Sequence, residues 1–239
     1  MARDVVLLHG FTHTGASWDP VVAALAESYR AIAPDIRGHG SAAAREPVAL
    51  DAVLEDVSAV APARFTLVGY SMGGRIALHA AVAPALGPRI DRVVLVGASP
   101  GIADPGERAA RRAADERLAD EVEHMTIEEF AVRWAQTPVL AGQPPAVAAA
   151  VDADRRRNQP AGLARALRGL GTGALPSLWE RLGELGAPVT LVVGERDEKF
   201  RAIAAEMARG LPDASVVAVA GAGHAVHLEA PARVAELIS

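Results

Sequence analysis

The 239-residue chain is 51 % apolar with a net charge of −5, enough to bury one sizeable core and too apolar for disorder. The acidic balance excludes a dedicated nucleic-acid face, and the absence of cysteine excludes disulfides and fits a cytoplasmic location. No apolar run approaches the roughly 20 residues of a membrane helix, and "MARDVVLLHG" lacks the apolar run and cleavage site of a secretory signal.

The first apolar run, "VVLLH" at 5–9, reads as a strand that empties into the turn "HGFTHTG". A helical pattern covers 17–27, "YRAIAPD" at 29–35 reads as a strand, and a second helix spans 51–60. Next comes "FTLVGYSMGGRIALHAA". Its first part is a strand at 65–70, and apolar residues recur at helical spacing over 73–83. Ser71 therefore sits where a strand turns into a helix, and Gly69 and Gly73 allow the sharp bend. The plain reading is a strand-to-helix turn with a small polar residue. The G-x-S-x-G spelling in this context instead marks an exposed serine nucleophile.

A fourth strand follows in "RVVLVGA" at 92–98. From 99 to 186 no convincing strand occurs; stretches such as "GERAARRAADERLADEVEHM" and "AGLARALRGLGTG" are helical and arginine-rich. A structureless loop of that length is uncommon in a compact domain. Ligands of open α/β sheets lie beyond the carboxyl ends of the strands, so 99–186 is expected to cap the site. Residues 1–98 and 187–239 then form the core. The chain resumes with "VTLVVGE" at 189–195, a helix at 199–209, "ASVVAVA" at 214–220 and a helix at 231–238. Continuous apolar runs mean strands buried on both faces. The alternation predicts an α/β fold, with a mostly parallel sheet covered by helices on both faces.

A serine hydroxyl needs a histidine to take its proton and a carboxylate to hold the imidazole. The strand at 189–195 runs into "GERDEKF" and that at 214–220 into "GAGHAVH", at the same sheet edge as Gly69. Asp197 stands at the exit of its strand and is preferred over Glu195 and Glu198. His224 lies on a glycine turn, whereas His227 reads as a packing or rim residue. His9, His13, His39, His79 and His124 read as turn, core or surface residues. Two backbone N–H groups are needed where negative charge develops; those of Met72, after the serine, and Phe11, after the first strand, are the candidates.

Together "LLHGF", "PDIRGHG", "GYSMGG", "GERD" and "GAGH" resemble the α/β-hydrolase superfamily over nearly the whole chain. That resemblance implies the α/β-hydrolase fold, with the helical cap inserted after its sixth-strand position. The antiparallel hairpin that usually precedes "VVLLHG" is short or missing. A narrower resemblance rests on "GYSMGGRIALHAA", "GERDEKF", "ASPG" followed by "ERAAR", "RRRNQPAGLARALRGLGTGALPSLW" and "FAVRWAQTPV". These are similar to the 2-succinyl-6-hydroxy-2,4-cyclohexadiene-1-carboxylate synthases of menaquinone biosynthesis, which eliminate pyruvate from a carboxylate-rich cyclohexene adduct. The resemblance implies carboxylate binding by Arg75, four residues after the serine, and by Arg111 and Arg155, with Arg112 and Arg156 as one-register alternatives. It also implies substrate contacts from Trp134 and Tyr70.

The residues themselves support an anion pocket. Arg75 lies one helical turn beyond Ser71, and an arginine-rich segment is expected over the same edge. The implied partner is a small polyanionic substrate, with no cofactor and no metal, and the oligomeric state is left open. A serine esterase or thioesterase would use the same triad. A non-catalytic binding module on this fold would be expected to lack a triad member, and all three candidates are present.

Overall fold

In the computed structural model, which describes residues 3–137, 140 and 142–239, six strands form one sheet. They are β1 (Arg3–Leu8), β2 (Tyr29–Ile32), β3 (Phe65–Tyr70), β4 (Ile90–Val96), β5 (Val189–Gly194) and β6 (Ala214–Val219), in the spatial order β2-β1-β3-β4-β5-β6. Every pair is parallel, with Val5 opposite both Ala31 and Thr66, and Val94 opposite Thr190. In β1, Val5 and Leu7 face one way while Val6 and Leu8 face the other, and all four are fully buried. A strand with two apolar faces needs cover on both sides.

That cover comes from helices α1 (Asp19–Ala24), α2 (Leu50–Val60), α3 (Met72–Val82), α8 (Glu198–Gly210), α9 (Val226–Glu229) and α10 (Pro231–Ile238). One core holds Val6, Leu8 and Leu67 against Val53 of α2, Ile76 of α3 and Met207 of α8. The opposite core holds Val5, Leu7 and Val68 against Val21 of α1, Val226 of α9 and Val234 of α10. The sheet is thus the middle layer of an α/β sandwich.

Between β4 and β5 lie α4 (Pro105–Glu123), α5 (Ile127–Ala135), α6 (Pro145–Arg155) and α7 (Pro160–Leu170). They close a third core of Ala119, Val122, Phe130, Leu163, Ala164 and Leu167, against which Phe11 and Trp134 pack. Arg168 of α7 clasps Glu116, Asp120 and Glu123 of α4 at 2.5–2.6 Å. The close of "FAVRWAQTPV", residues 138–139, lies outside the described residues. No described helix is long and apolar enough to cross a membrane.

Most elements fall within two residues of expectation, as β4 at Ile90–Val96 does against 92–98, and two differ by more. The strand predicted over 29–35 ends at Ile32, because Pro34 has no N–H to extend the ladder and Asp35 turns aside to accept from Gly15 and Ser41. The helix predicted over 17–27 is divided into a 3-10 turn, Gly15–Trp18, and α1; Pro20 sits in the first turn of α1, where its missing N–H costs nothing.

Candidate active site

The carboxyl ends of β3, β5 and β6 deliver the site. Ser71 leaves β3 with φ 49° and ψ −107°, a left-handed conformation that costs a non-glycine residue on the order of 1–3 kcal/mol. The bend pushes its side chain clear of the sheet while its N–H still donates to Val96 O at 2.9 Å. At Gly73 a Cβ would lie 2.2 Å from Leu8 O, so only glycine lets α3 start this close to β1.

Asp197 caps α8, its Oδ1 accepting from Phe200 N at 3.2 Å. Its other oxygen accepts from His224 Nδ1–H at 2.6 Å, and His224 Nε2 lies 3.4 Å from Ser71 Oγ. Nδ1 therefore carries the proton and Nε2 is free to accept one. The last distance is long for a hydroxyl donor, as is common before substrate binds. Gly97, at φ 53°, lies under the imidazole, where a Cβ would sit 2.9 Å from His224 Cε1. Arg196 and Gly223 N both donate to Glu229 Oε2, at 2.7 and 2.9 Å, and Arg196 also donates to Gly221 O, pinning the turn that carries His224.

The competing groups have other partners. Glu195 is exposed and accepts from Gly221 N at 2.9 Å, and Glu198 opens α8 in solvent. His227 is fully buried, between Tyr70 at 4.2 Å and Trp18 at 4.7 Å, with neither ring nitrogen hydrogen-bonded. Burial, then neighbouring His13, holds it well below the ordinary imidazole range. His9 serves the turns, donating from Nδ1 to Gly10 O and accepting Ile36 N–H on Nε2, both at 2.9 Å.

The N–H of Met72 is a free first-turn donor of α3, and neither it nor that of Phe11 bonds a backbone carbonyl among the described residues. The Phe11 turn is held from the far insertion. Thr12 has φ 70°, and its carbonyl accepts Asn158 Nδ2 at 2.8 Å. Asn158 Oδ1 accepts Gly40 N at 3.0 Å. Asp154 accepts from Thr14 through both its N–H, at 2.9 Å, and its hydroxyl, and lies 3.4 Å from His13 Nδ1. Burial pushes the Asp154 carboxyl up, but the His13 and Thr14 bonds prevail and bring it down to about 2. None of Asp154, Asn158, His13 or Gly97 is a candidate on sequence grounds, because their partners lie far along the chain.

Above Ser71 opens a cavity of about 690 Å³, the size of a small-molecule site. Phe11, Ser71, Met72, Asp197 and His224 line it, as do Trp134 and Trp179. Arg75 and Arg111 are in its wall. Arg111 donates to Asp115 at 2.7 Å, while Arg75 has no ion-pair partner among the described residues and its buried Nε bonds nothing. Burial, then the Arg111 charge, lowers Arg75 to about 10, which leaves it cationic at neutral pH.

Two expected contacts fall outside that wall. Arg155 is buried but does not line the cavity; its Nη1 lies 3.4 Å from Ala131 O. Asp154 faces the Thr14 turn, and the next helical position points about 100° away, toward α5. Arg156, the register alternative, pairs with Asp152 at 2.7 Å at the surface, and Arg112 is exposed outside the cavity. Tyr70 is also absent from the wall, its ring packed on His13, His224 and His227. Burial, then the Asp197 and Glu229 carboxylates, raises its phenol, which stays neutral.

A serine at a sharp strand-to-helix turn, with an acid and a histidine delivered by the ends of two other strands of the same sheet, is the arrangement of one class, and the chain belongs to the alpha/beta hydrolase family, whose model matches residues 5–237. Within that class it belongs with the 2-succinyl-6-hydroxy-2,4-cyclohexadiene-1-carboxylate synthases. It is 34 % identical to the synthase of Salmonella newport over 98 % of this chain and 92 % of that one. A Bacillus subtilis protein that carries the same name provisionally is 36 % identical over 98 % of this chain and 88 % of its own. The structure of MenH from S. aureus superposes with a TM-score of 0.93 at 30 % identity, covering 99 % of this chain and 91 % of that one.

Proposed function

We propose that this protein is a carbon–oxygen lyase that eliminates pyruvate from 2-succinyl-5-enolpyruvyl-6-hydroxy-3-cyclohexene-1-carboxylate. The product is 2-succinyl-6-hydroxy-2,4-cyclohexadiene-1-carboxylate, an intermediate of menaquinone biosynthesis. The observation that carries the reading is Arg75, without an ion-pair partner among the described residues, in the same cavity wall as Ser71. A neutral-ester hydrolase has no use for a half-buried cation without a partner, whereas a polycarboxylate supplies one. The names of the relatives point the same way.

In this account Ser71 and His224 act as a proton relay. Ser71 Oγ takes a ring proton as its own passes to Nε2 of His224, and Asp197 holds the resulting imidazolium through Nδ1–H. The electrons of the broken C–H bond move onto the adjacent succinyl carbonyl, giving an enolate conjugated with the ring double bond, whose oxyanion meets the N–H groups of Phe11 and Met72. The carbonyl then re-forms, a ring double bond appears, and the C–O bond to the enolpyruvyl group breaks. The leaving enolpyruvate takes up a proton at carbon to become pyruvate, and the His224 imidazolium gives up the one it gained, so no net proton is consumed and the relay is reset. Helices α4–α7 act as a cap that excludes water from the relay.

The intact triad also suits ester or thioester hydrolysis, which gives the test its comparison. Purified protein should release pyruvate from the synthesised adduct with kcat/KM at least 100-fold above that for hydrolysis of a p-nitrophenyl ester. The reverse ranking would make the protein an esterase.

A further inference from the structure

Of the 24 cationic Lys and Arg side chains, 23 are arginine and one is lysine, Lys199. That lysine is in the wall of the catalytic cavity. It stands two residues past Asp197, in the first turn of α8, and has no ion-pair partner among the described residues. Its ammonium lies 5.8 Å from the Phe200 ring centroid, and that ring lies 4.5 Å from the His224 ring. Lys199 is exposed, and this cation–π contact at the outer edge of its range leaves the ammonium free to swing at the cavity rim.

The cavity wall holds three cationic side chains, Arg75, Arg111 and Lys199. The first two reach it from α3 and α4, and Lys199 from the helix after β5. Strands β3 and β5 flank β4, so about 10 Å separates their ends at the usual strand spacing. Arg75 and Lys199 thus enter the cavity from elements that follow strands two positions apart in the sheet, and a cyclohexene ring bearing a carboxylate, a succinyl arm and an enolpyruvyl arm carries separate carboxylates that can meet each. We propose that Lys199 binds a second substrate carboxylate, remote from the one held by Arg75, and takes the place in the cavity that Arg155 does not occupy. The proposal rests on the lyase reading above and makes Lys199 a specificity-determining residue for a substrate charged at both ends. A flexible ammonium with three rotatable donors can follow a carboxylate that shifts during elimination, which a planar guanidinium fork does less well.

The test uses the uniqueness of the side chain. Acetylation by a water-soluble N-hydroxysuccinimide ester can modify one lysine, resolved from the terminal amine by peptide mass mapping. In Ser71→Ala, which binds the adduct without turning it over, saturating adduct should slow acetylation of Lys199 at least about fivefold. In the otherwise wild-type chain, Lys199→Met should raise KM for the adduct on the order of tenfold, the loss of a bond between charged groups. Lys199→Glu should raise it further, and Lys199→Arg should restore part of the loss. Unprotected Lys199 in a Ser71→Ala protein shown by calorimetry to bind the adduct would overturn the proposal while leaving the lyase reading intact. So would a Lys199→Met variant with unchanged KM and a displaced pH profile of kcat, which would make the charge a tuning group for His224. Failure of wild-type protein to release pyruvate, or of Ser71→Ala to bind the adduct, would instead sink the lyase reading itself.

Discussion

At Ser71 the chain accepts an unfavourable backbone conformation to place one hydroxyl 3.4 Å from His224 Nε2. Groups that act as one relay fail together. Alanine at Ser71, His224 or Asp197 should each cost orders of magnitude in turnover, and the double and triple variants should lose little more. His227→Ala should be mild by comparison, which steady-state kinetics on the four single variants will check. Arg75 is the residue on which substrate class turns. Arg75→Ala should lower kcat/KM for the adduct by about 10- to 150-fold, the range for a hydrogen bond between charged groups, and Arg75→Lys should recover only part of it. An Arg75→Ala enzyme with parental kcat/KM would remove the anion pocket from the account. Ser71, Asp197 and His224 are legible in the sequence because each follows a strand end by one to five residues. Gly97 is not, since nothing near it in the chain announces that His224 will cross its α-carbon.

Between elements, the coupling of note joins the end of α6 to the turn after β1. Asp154 and Asn158 stand on or just past the last turn of α6 and hold Thr14, Thr12 and Gly40. On the proposed mechanism, these bonds hold the backbone that carries Phe11 N–H toward the oxyanion. Removing an oxyanion donor outright costs about 10²–10³ in kcat, and loosening one costs less. Asn158→Leu should therefore lower kcat on the order of tenfold with KM changed by less than about threefold, and Asn158→Asp, which keeps the acceptor for Gly40 but loses the donor to Thr12, should fall similarly. A rise in KM with kcat intact would mean that Asn158 shapes the pocket and does not aim the donor. These links span 140 and 146 residues of sequence, beyond the reach of any local pattern. The same limit explains Arg155: its helix is readable from composition, but the face it presents depends on where Asp154 is anchored.

Over the whole molecule, the sheet is the most legible layer, because strands buried on both faces write continuous apolar runs such as "FTLVGY". The histidines carry a second property of the whole. Burial lowers His9 to about 4, His39 to about 3 and His79 to about 4, and holds His227 well below its ordinary 6.5. Each stays neutral when folded at a pH where the unfolded chain protonates it. Their stabilising effect is complete above about pH 6.5 and is lost as pH falls toward 4, by at most about 1.4 kcal/mol per pH unit per group. Asp154, lowered to about 2 from 3.8, contributes fully above 3.8 and weakens only below it, so it leaves that window to the histidines. Urea midpoints should fall steadily from pH 7 to pH 5, and His227→Phe, which removes two unpartnered nitrogens, should make the fall shallower. A midpoint independent of pH over that range would refute this assignment.

The central claim is that Ser71 moves a proton and never carries the substrate. An intact-mass spectrum, taken by rapid acid quench while the adduct is being turned over, tests it directly. The account predicts unmodified protein at every time point as pyruvate accumulates. A covalent adduct that forms on Ser71 and then decays at the rate of turnover would contradict it.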